Sequence, residues 1–191
     1  MSTDGWSGPG CELGKFVAKE VEKTLAAYSA SPKLIDEHVG IEKGTAGGGY
    51  AHRQIFELVQ NSADALSLTE EASTGNKMRG VVSCGRIMIH LANDCLYCAD
   101  DGMPIDEDGV VALMFSYLSP KQGTDQIGTF GLGFKSILSV SDAPEFYSRT
   151  VSLRFDGAFS RERVQRVMPN VQGPVPVLRL PEPVDPAIPG C

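Results

Sequence analysis

No apolar run in the 191 residues approaches the length of a bilayer span, and the amino terminus lacks a basic region followed by an apolar core. Neither a membrane helix nor a secretory leader is expected, so the sequence predicts a cytoplasmic protein. Positive charge is also short: 17 Lys and Arg stand against 24 Asp and Glu, a net charge of −7. That balance opposes attraction to phosphate backbones and anionic lipid, which removes nucleic acid and membrane surfaces from the expected partners. Five cysteines, an odd number in no regular framework, agree with a reducing compartment. Cys95-x-x-Cys98 has redox or zinc-like spacing, but no second ligand pair accompanies it and it falls in an expected strand, so buried thiols are the preferred reading. There is no internal repeat.

What is present is enough for one soluble domain with a real core, at 42% hydrophobic residues. Leu13, Phe16, Val17, Val21, Leu25 and Tyr28 recur at helical intervals, predicting an amphipathic helix over Cys11 to Ala30. Ser31-Pro32 then caps a second, short helix from Lys33 to Val39. Gly44 to Gly49 reads as a linker, and Leu68 to Gly80 as a loop, with Val81 to Ser83 a possible backward extension of the strand that follows. Arg86 to Leu91 and Cys95 to Ala99 are expected to pair as a hairpin through Asn93-Asp94. Ile105 to Tyr117 predicts a helix capped by Asp106, Leu132 to Val140 another, and Glu145 to Arg149 with Val151 to Asp156 two paired strands around Thr150. Ser160 to Met168 reads as a charged helix whose Arg161, Arg163 and Arg166 face solvent. Val175 to Leu180 is a further strand flanked by prolines.

One stretch combines two faces. From Ile55 to Leu66, at roughly 100° per residue, Glu57, Asn61 and Asp64 fall within about 60° of one another, with Ile55, Val59, Ser62 and Leu66 opposite. The apolar stripe is expected to be core. An ordinary solvated face would carry Lys and Glu pairs at helical spacing, whereas this polar stripe holds two carboxylates and an amide with no basic partner on it. Oxygen acceptors gathered without a cation suggest a metal.

Two later stretches share that character. Asp100-Asp101-Gly102 ends an apolar run, placing a carboxylate at a sheet edge beside a glycine that permits close approach to the backbone. Gly128-x-x-Gly131-x-Gly133 enters an apolar helix, and backbone N–H groups at a helix start make an anion site. The polar run Lys121 to Ile127 before it is unlike the strand a dinucleotide-binding turn requires.

In this order, Glu57-x-x-x-Asn61-x-x-Asp64, Asp100-x-Gly102 and the glycine triplet resemble the three motifs of the GHKL, or Bergerat, ATPases. The match is nearest to sacsin-type amino-terminal domains and the ninety-kilodalton heat-shock chaperones, and it covers about Tyr50 to Arg149. The resemblance implies an α+β two-layer sandwich, a mixed and mostly antiparallel sheet with helices on one face, binding ATP and Mg²⁺. It implies Asn61 as the magnesium ligand, Glu57 as the catalytic group that orients or deprotonates water, and Asp100 as acceptor for the exocyclic amine of adenine. A carboxylate only accepts, so it selects adenine over guanine. Gly102 and Met103 would adjoin the ring, while Asp64, counted among the nucleotide-binding residues, takes a structural role or stands just behind the residues that touch the ligand. Lys121, Gly128, Phe130, Gly131, Leu132, Gly133 and Phe134 would surround the phosphates. Lys135 is either a further phosphate partner or a residue of the outer helix face.

The implied division is a helical extension over 1–49, an ATP-binding domain over 50–180 and a tail over 181–191. Pro104 stands where many relatives have glycine, and no Gly-Thr pair follows Arg149, so the chain is expected to be the start of a longer protein or a truncated module. Three functions follow: a Mg²⁺-dependent ATPase whose lid, at Ser119 to Asp125, closes in a chaperone-like or switching cycle acting on a client or partner protein; a non-hydrolysing nucleotide sensor; and a histidine-kinase catalytic domain. The last is least favoured, because His38, His52 and His90 lie in no recognisable dimerisation helix.

Overall fold

A computed structural model describes residues 7–47, 53–73, 85–115, 134–155, 157–169 and 179–186. The architecture is α+β, with helices α1 (Glu12–Ala30), α2 (Lys33–Gly47), α3 (Gln54–Ser73), α4 (Glu107–Met114) and α5 (Gly157–Val167), and a 3-10 helix at Phe134–Ser139. The described strands form two antiparallel sheets. One is the hairpin of β1 (Ile87–Ala92) and β2 (Cys95–Asp100); the other has the order β3 (Glu145–Tyr147), β4 (Ser152–Phe155), β5 (Pro181–Pro183).

The core lies between α1 and the three-stranded sheet. Val17, Val21, Leu25 and Tyr28 line the buried face of α1, and Val151, Leu153 and Phe155 supply the sheet side, with Val110, Met114, Val164 and Leu180 around them. Each fully buried aliphatic side chain contributes about 1.5–3 kcal/mol, so the first helix, expected from its periodicity, is an integral wall of the core. Its cap is unusual. The Cys11 thiol accepts from the Gly14 N–H at 3.2 Å and donates to the Thr150 carbonyl at 3.1 Å, pinning α1 to the turn between β3 and β4.

Several boundaries differ from expectation. α2 continues through Gly40 and Gly44 to Gly47, and α3 runs on to Ser73, so both take in residues read as linker or loop. Glycine in a helix costs about 1 kcal/mol, and in α2 the buried Ile35 and Val39 offset it. The helix expected from Leu132 is, in its described part, a 3-10 helix. The sheet's third strand is Pro181–Pro183, read from the sequence as the start of a tail. Its prolines suit an edge position, since among the described residues β4 alone is its partner. Arg163 of α5 pairs with Glu182 of β5 at 3.3 Å and does not belong to a purely solvated face.

The hairpin is as expected. Asn93 and Asp94 both take positive φ, 49° and 61°, the pair of left-handed residues a two-residue primed turn demands. In the register, Cys95 faces Ala92 and Cys98 faces Ile89. A three-residue offset along a strand puts the two thiols on opposite faces, which excludes a shared metal. Cys95 is exposed and Cys98 half-buried, so the expectation of two buried thiols fails at Cys95. Among the described residues, no helix is long and apolar enough to cross a membrane.

Candidate functional site

α3 and the loop after β2 form one unit. The Met103 N–H donates to the Ala65 carbonyl at 3.0 Å. A Cβ on Gly102 would lie 2.7 Å from the Ala65 carbonyl carbon, so glycine is required there for contact with the helix. Ser62 Oγ sits 3.7 Å from Cys98 Sγ, continuing the seam one helical turn earlier. On its other side the loop is held by the Ile105 N–H, which donates to Ser148 Oγ at 3.1 Å. Two of the three sequence motifs are thereby bound together by backbone contacts.

The polar stripe of α3 is not a solvent-facing stripe. Glu57 is 8% exposed and Asp64 6%, while Asn61 between them is exposed. Ile55, placed on the core stripe from periodicity, is 51% exposed, and Phe56 72%. Helical period alone cannot say which side of a two-faced helix meets the protein. Glu57 also has a basic neighbour after all: Arg53 Nη2 lies 3.8 Å from its carboxylate, one turn earlier. As an acidic group in the first turn, Glu57 is favoured by the helix dipole.

At the end of β2 the two carboxylates divide. Asp101 is committed to Arg86, accepting its N–H at 2.7 Å and lying 3.5 Å from its guanidinium. The Arg86 N–H, followed by its side chain and charge, holds the Asp101 carboxyl below its ordinary range. Asp100 is exposed, and one oxygen accepts the Gly102 N–H at 3.0 Å. A shallow hollow beside it is lined by Arg86, Met88, Ala99, Asp100 and Asp101. Neither Asn61 nor Glu57 lines that hollow, so it is not the shared cavity of the three motifs. Met103 is half-exposed at the rim of the loop.

Lys121, Gly128, Phe130, Gly131, Leu132 and Gly133 lie outside the described residues, as does the segment Ser119 to Asp125. Phe134 is half-buried and packs against the core, its ring 5.2 Å from that of Phe155 and 6.2 Å edge-on from that of Phe146. Lys135 lies neither on an outer face nor at the surface. It is 6% exposed and its ammonium donates to the Met114 carbonyl at 3.1 Å. Burial lowers the Lys135 pKa, and the Glu42 carboxylate works against that shift. Glu42 was not picked out from the sequence, because an acidic residue on a glycine-rich helix carries no distinguishing signal.

Among the described residues there is no cluster of three or more His, Cys, Asp or Glu side chains that could hold a metal by itself. The donor set of α3, one exposed amide with a buried carboxylate a turn earlier, suits magnesium in a particular way. That ion retains most of its waters and takes few protein ligands beside phosphate oxygens, so Asn61 fits an ion that arrives with its nucleotide.

Comparison with known proteins gives partial matches. The chain is 30% identical to the chaperone protein HtpG of Vibrio atlanticus over 127 residues, 57% of this chain and 20% of that protein. It is 31% identical to HtpG of Alkaliphilus metalliredigens over 121 residues, 53% of this chain and 19% of that protein. For HtpG of Aliivibrio salmonicida the figures are 31% over 134 residues, 61% and 20%. The chain thus spans about a fifth of the length of the curated relatives it matches. No family model and no solved structure matches it. These matches support a distant relation to the HtpG chaperones.

Proposed function

We propose that this chain is an adenine-nucleotide-binding module of the GHKL kind, serving a chaperone-like or switching protein. The single observation that carries the reading is the seam between α3 and the loop after β2, where Gly102 packs on Ala65 and Met103 bonds to it. That seam joins the helix bearing Glu57 and Asn61 to the strand end bearing Asp100, two motifs that the resemblance requires to act together.

In this reading the exposed amide of Asn61 holds the magnesium ion of Mg-ATP, and Asp100 accepts the adenine amine through a carboxylate kept in place by the Gly102 N–H. The ion would neutralise phosphate charge. Glu57, one turn before Asn61 and largely out of water, orients the attacking water and accepts its proton. Asp64, buried on the same helix, supports it from within. The glycines from Gly128 to Gly133 contribute backbone N–H groups to the phosphates, by resemblance alone.

A second reading has its own support: the module binds nucleotide without hydrolysing it. The guanidinium of Arg53 lies 3.8 Å from the Glu57 carboxylate and competes with water for it. Phosphate release by the purified chain and by Glu57→Ala separates the two readings. ATPase function predicts turnover that Glu57→Ala abolishes while ATP binding persists; a sensor predicts binding and no phosphate release in either. Absence of ATP binding by the wild-type chain would overturn both.

A further inference from the structure

The glycine triplet is followed in sequence by Phe134 and Lys135, and the structure accounts for both. Phe134 packs, half-buried, against the rings of Phe146 and Phe155. Lys135 is buried, with its ammonium on the carbonyl of Met114, the last residue of α4. That carbonyl is one of the helix-end acceptors without an intrahelical partner, and the carboxyl end of a helix favours a cation. Residues 115–134 separate the two positions in the chain, so this bond ties the end of α4 to the start of the 3-10 helix.

The surroundings make the tie part of a chain of contacts. Lys135 and the Glu42 carboxylate of α2 interact electrostatically, and Glu42 accepts the backbone N–H of Arg179. The Arg179 guanidinium reaches back to the turn just past the 3-10 helix, donating to the carbonyls of Ser141 and Asp142 at 3.0 and 3.2 Å and to the Asp142 carboxylate at 3.1 Å. Gln54, the first residue of α3, donates to Ser139 Oγ at 2.9 Å. The short helix is thus bracketed at its start by Lys135, just past its end by Arg179, and bonded to the helix that carries Glu57 and Asn61.

We infer that Lys135 is a positioning residue: a buried clasp that fixes the start of the 3-10 helix, the segment next in sequence after the glycine motif, against α4 and does not itself touch the nucleotide. The inference rests on the nucleotide-binding reading for its purpose but not for its geometry. An ammonium withdrawn from water loses hydration that only specific partners replace, and here a helix-end carbonyl supplies one such partner while the charge of Glu42 on α2 acts on the ammonium from further away. A phosphate ligand would instead need an ammonium open to the incoming anion.

Hydrogen exchange of the nucleotide-free protein tests the clasp directly. Lys135→Met should speed amide exchange in the last turn of α4 and in the 3-10 helix at least fivefold, with α1 and β4 unchanged. Acetylation of surface amines should leave Lys135 unmodified, with or without Mg-ATP, while exposed Lys15 reacts. Affinity for ATP should fall at least tenfold in Lys135→Met. If Lys135→Met does not fold, Glu42→Gln, which keeps the lysine and removes its compensating charge, should show the same local loosening to a smaller degree. Unaltered exchange in the variants that fold, or acetylation of Lys135 at the rate of Lys15, would overturn the inference. Local loosening alongside a wild-type chain that binds no adenine nucleotide leaves the clasp standing and removes the nucleotide reading; binding with no loosening does the reverse.

Discussion

The backbone N–H of Met103 donates to the carbonyl of Ala65 at 3.0 Å, and beside that bond Gly102 approaches the helix too closely for any side chain to intervene. Replacement of Gly102 therefore acts on the seam itself. Gly102→Val should destabilise the fold by about 1–3 kcal/mol, the usual cost of forcing atoms into a packed site, measured by urea denaturation. ATP affinity should fall with it, because the strand end bearing Asp100 is displaced from α3.

Phe134 supplies a second test, since the resemblance places it at the nucleotide and the structure packs it, half-buried, against Phe146 and Phe155. Phe134→Ala should cost roughly 2–3 kcal/mol, somewhat under the range for fully buried aromatics. A variant of unchanged stability with lost ATP binding would return this ring to the ligand.

Much of the framework was legible from the sequence, for reasons that vary by element. Asn93-Asp94 announced its hairpin because few residue pairs accept left-handed backbone twice, and Asp106 announced α4 because its side chain accepts the Gly109 N–H at 2.8 Å. On α3 the polar stripe was read as other than a solvated face, and Glu57 and Asp64 are buried, but Ile55 was placed on the core stripe and is exposed, because helical period does not say where along a stripe the protein ends. Lys135 escaped because hydrophobicity cannot reveal a polar side chain that turns inward. β5 was missed because two prolines in three residues resemble a tail, and only the free edge of β4 makes them a strand.

Ser152, at the centre of the three-stranded sheet, has a fully buried hydroxyl without a hydrogen-bond partner among the described residues. Removing such a group relieves its desolvation cost, on the order of 1 kcal/mol. Ser152→Ala should leave thermal stability unchanged or raise it; a loss above that size would point to a partner for the hydroxyl.

Acid should weaken the contact between α1 and α2. The Tyr28 hydroxyl is 2.6 Å from His38 Nδ1, and burial, reinforced by the Lys135 charge and opposed by Glu37, holds the His38 pKa below 6.5. The unfolded chain then binds a proton that the folded chain refuses, so stability is lost as pH falls from 6.5 through the lowered value and is regained above it. Proton NMR should find His38 titrating below 6.5, and His38→Gln should flatten the pH dependence of unfolding in that window. A normal or raised midpoint would contradict the assignment.

The most direct measurement is calorimetric titration of the wild-type chain with ATP, with and without Mg²⁺, and with GTP. The account predicts saturable ATP binding that Mg²⁺ strengthens and Asn61→Ala makes indifferent to Mg²⁺, with GTP at least tenfold weaker through Asp100. Equal affinity for ATP and GTP, or no binding of either, would contradict it.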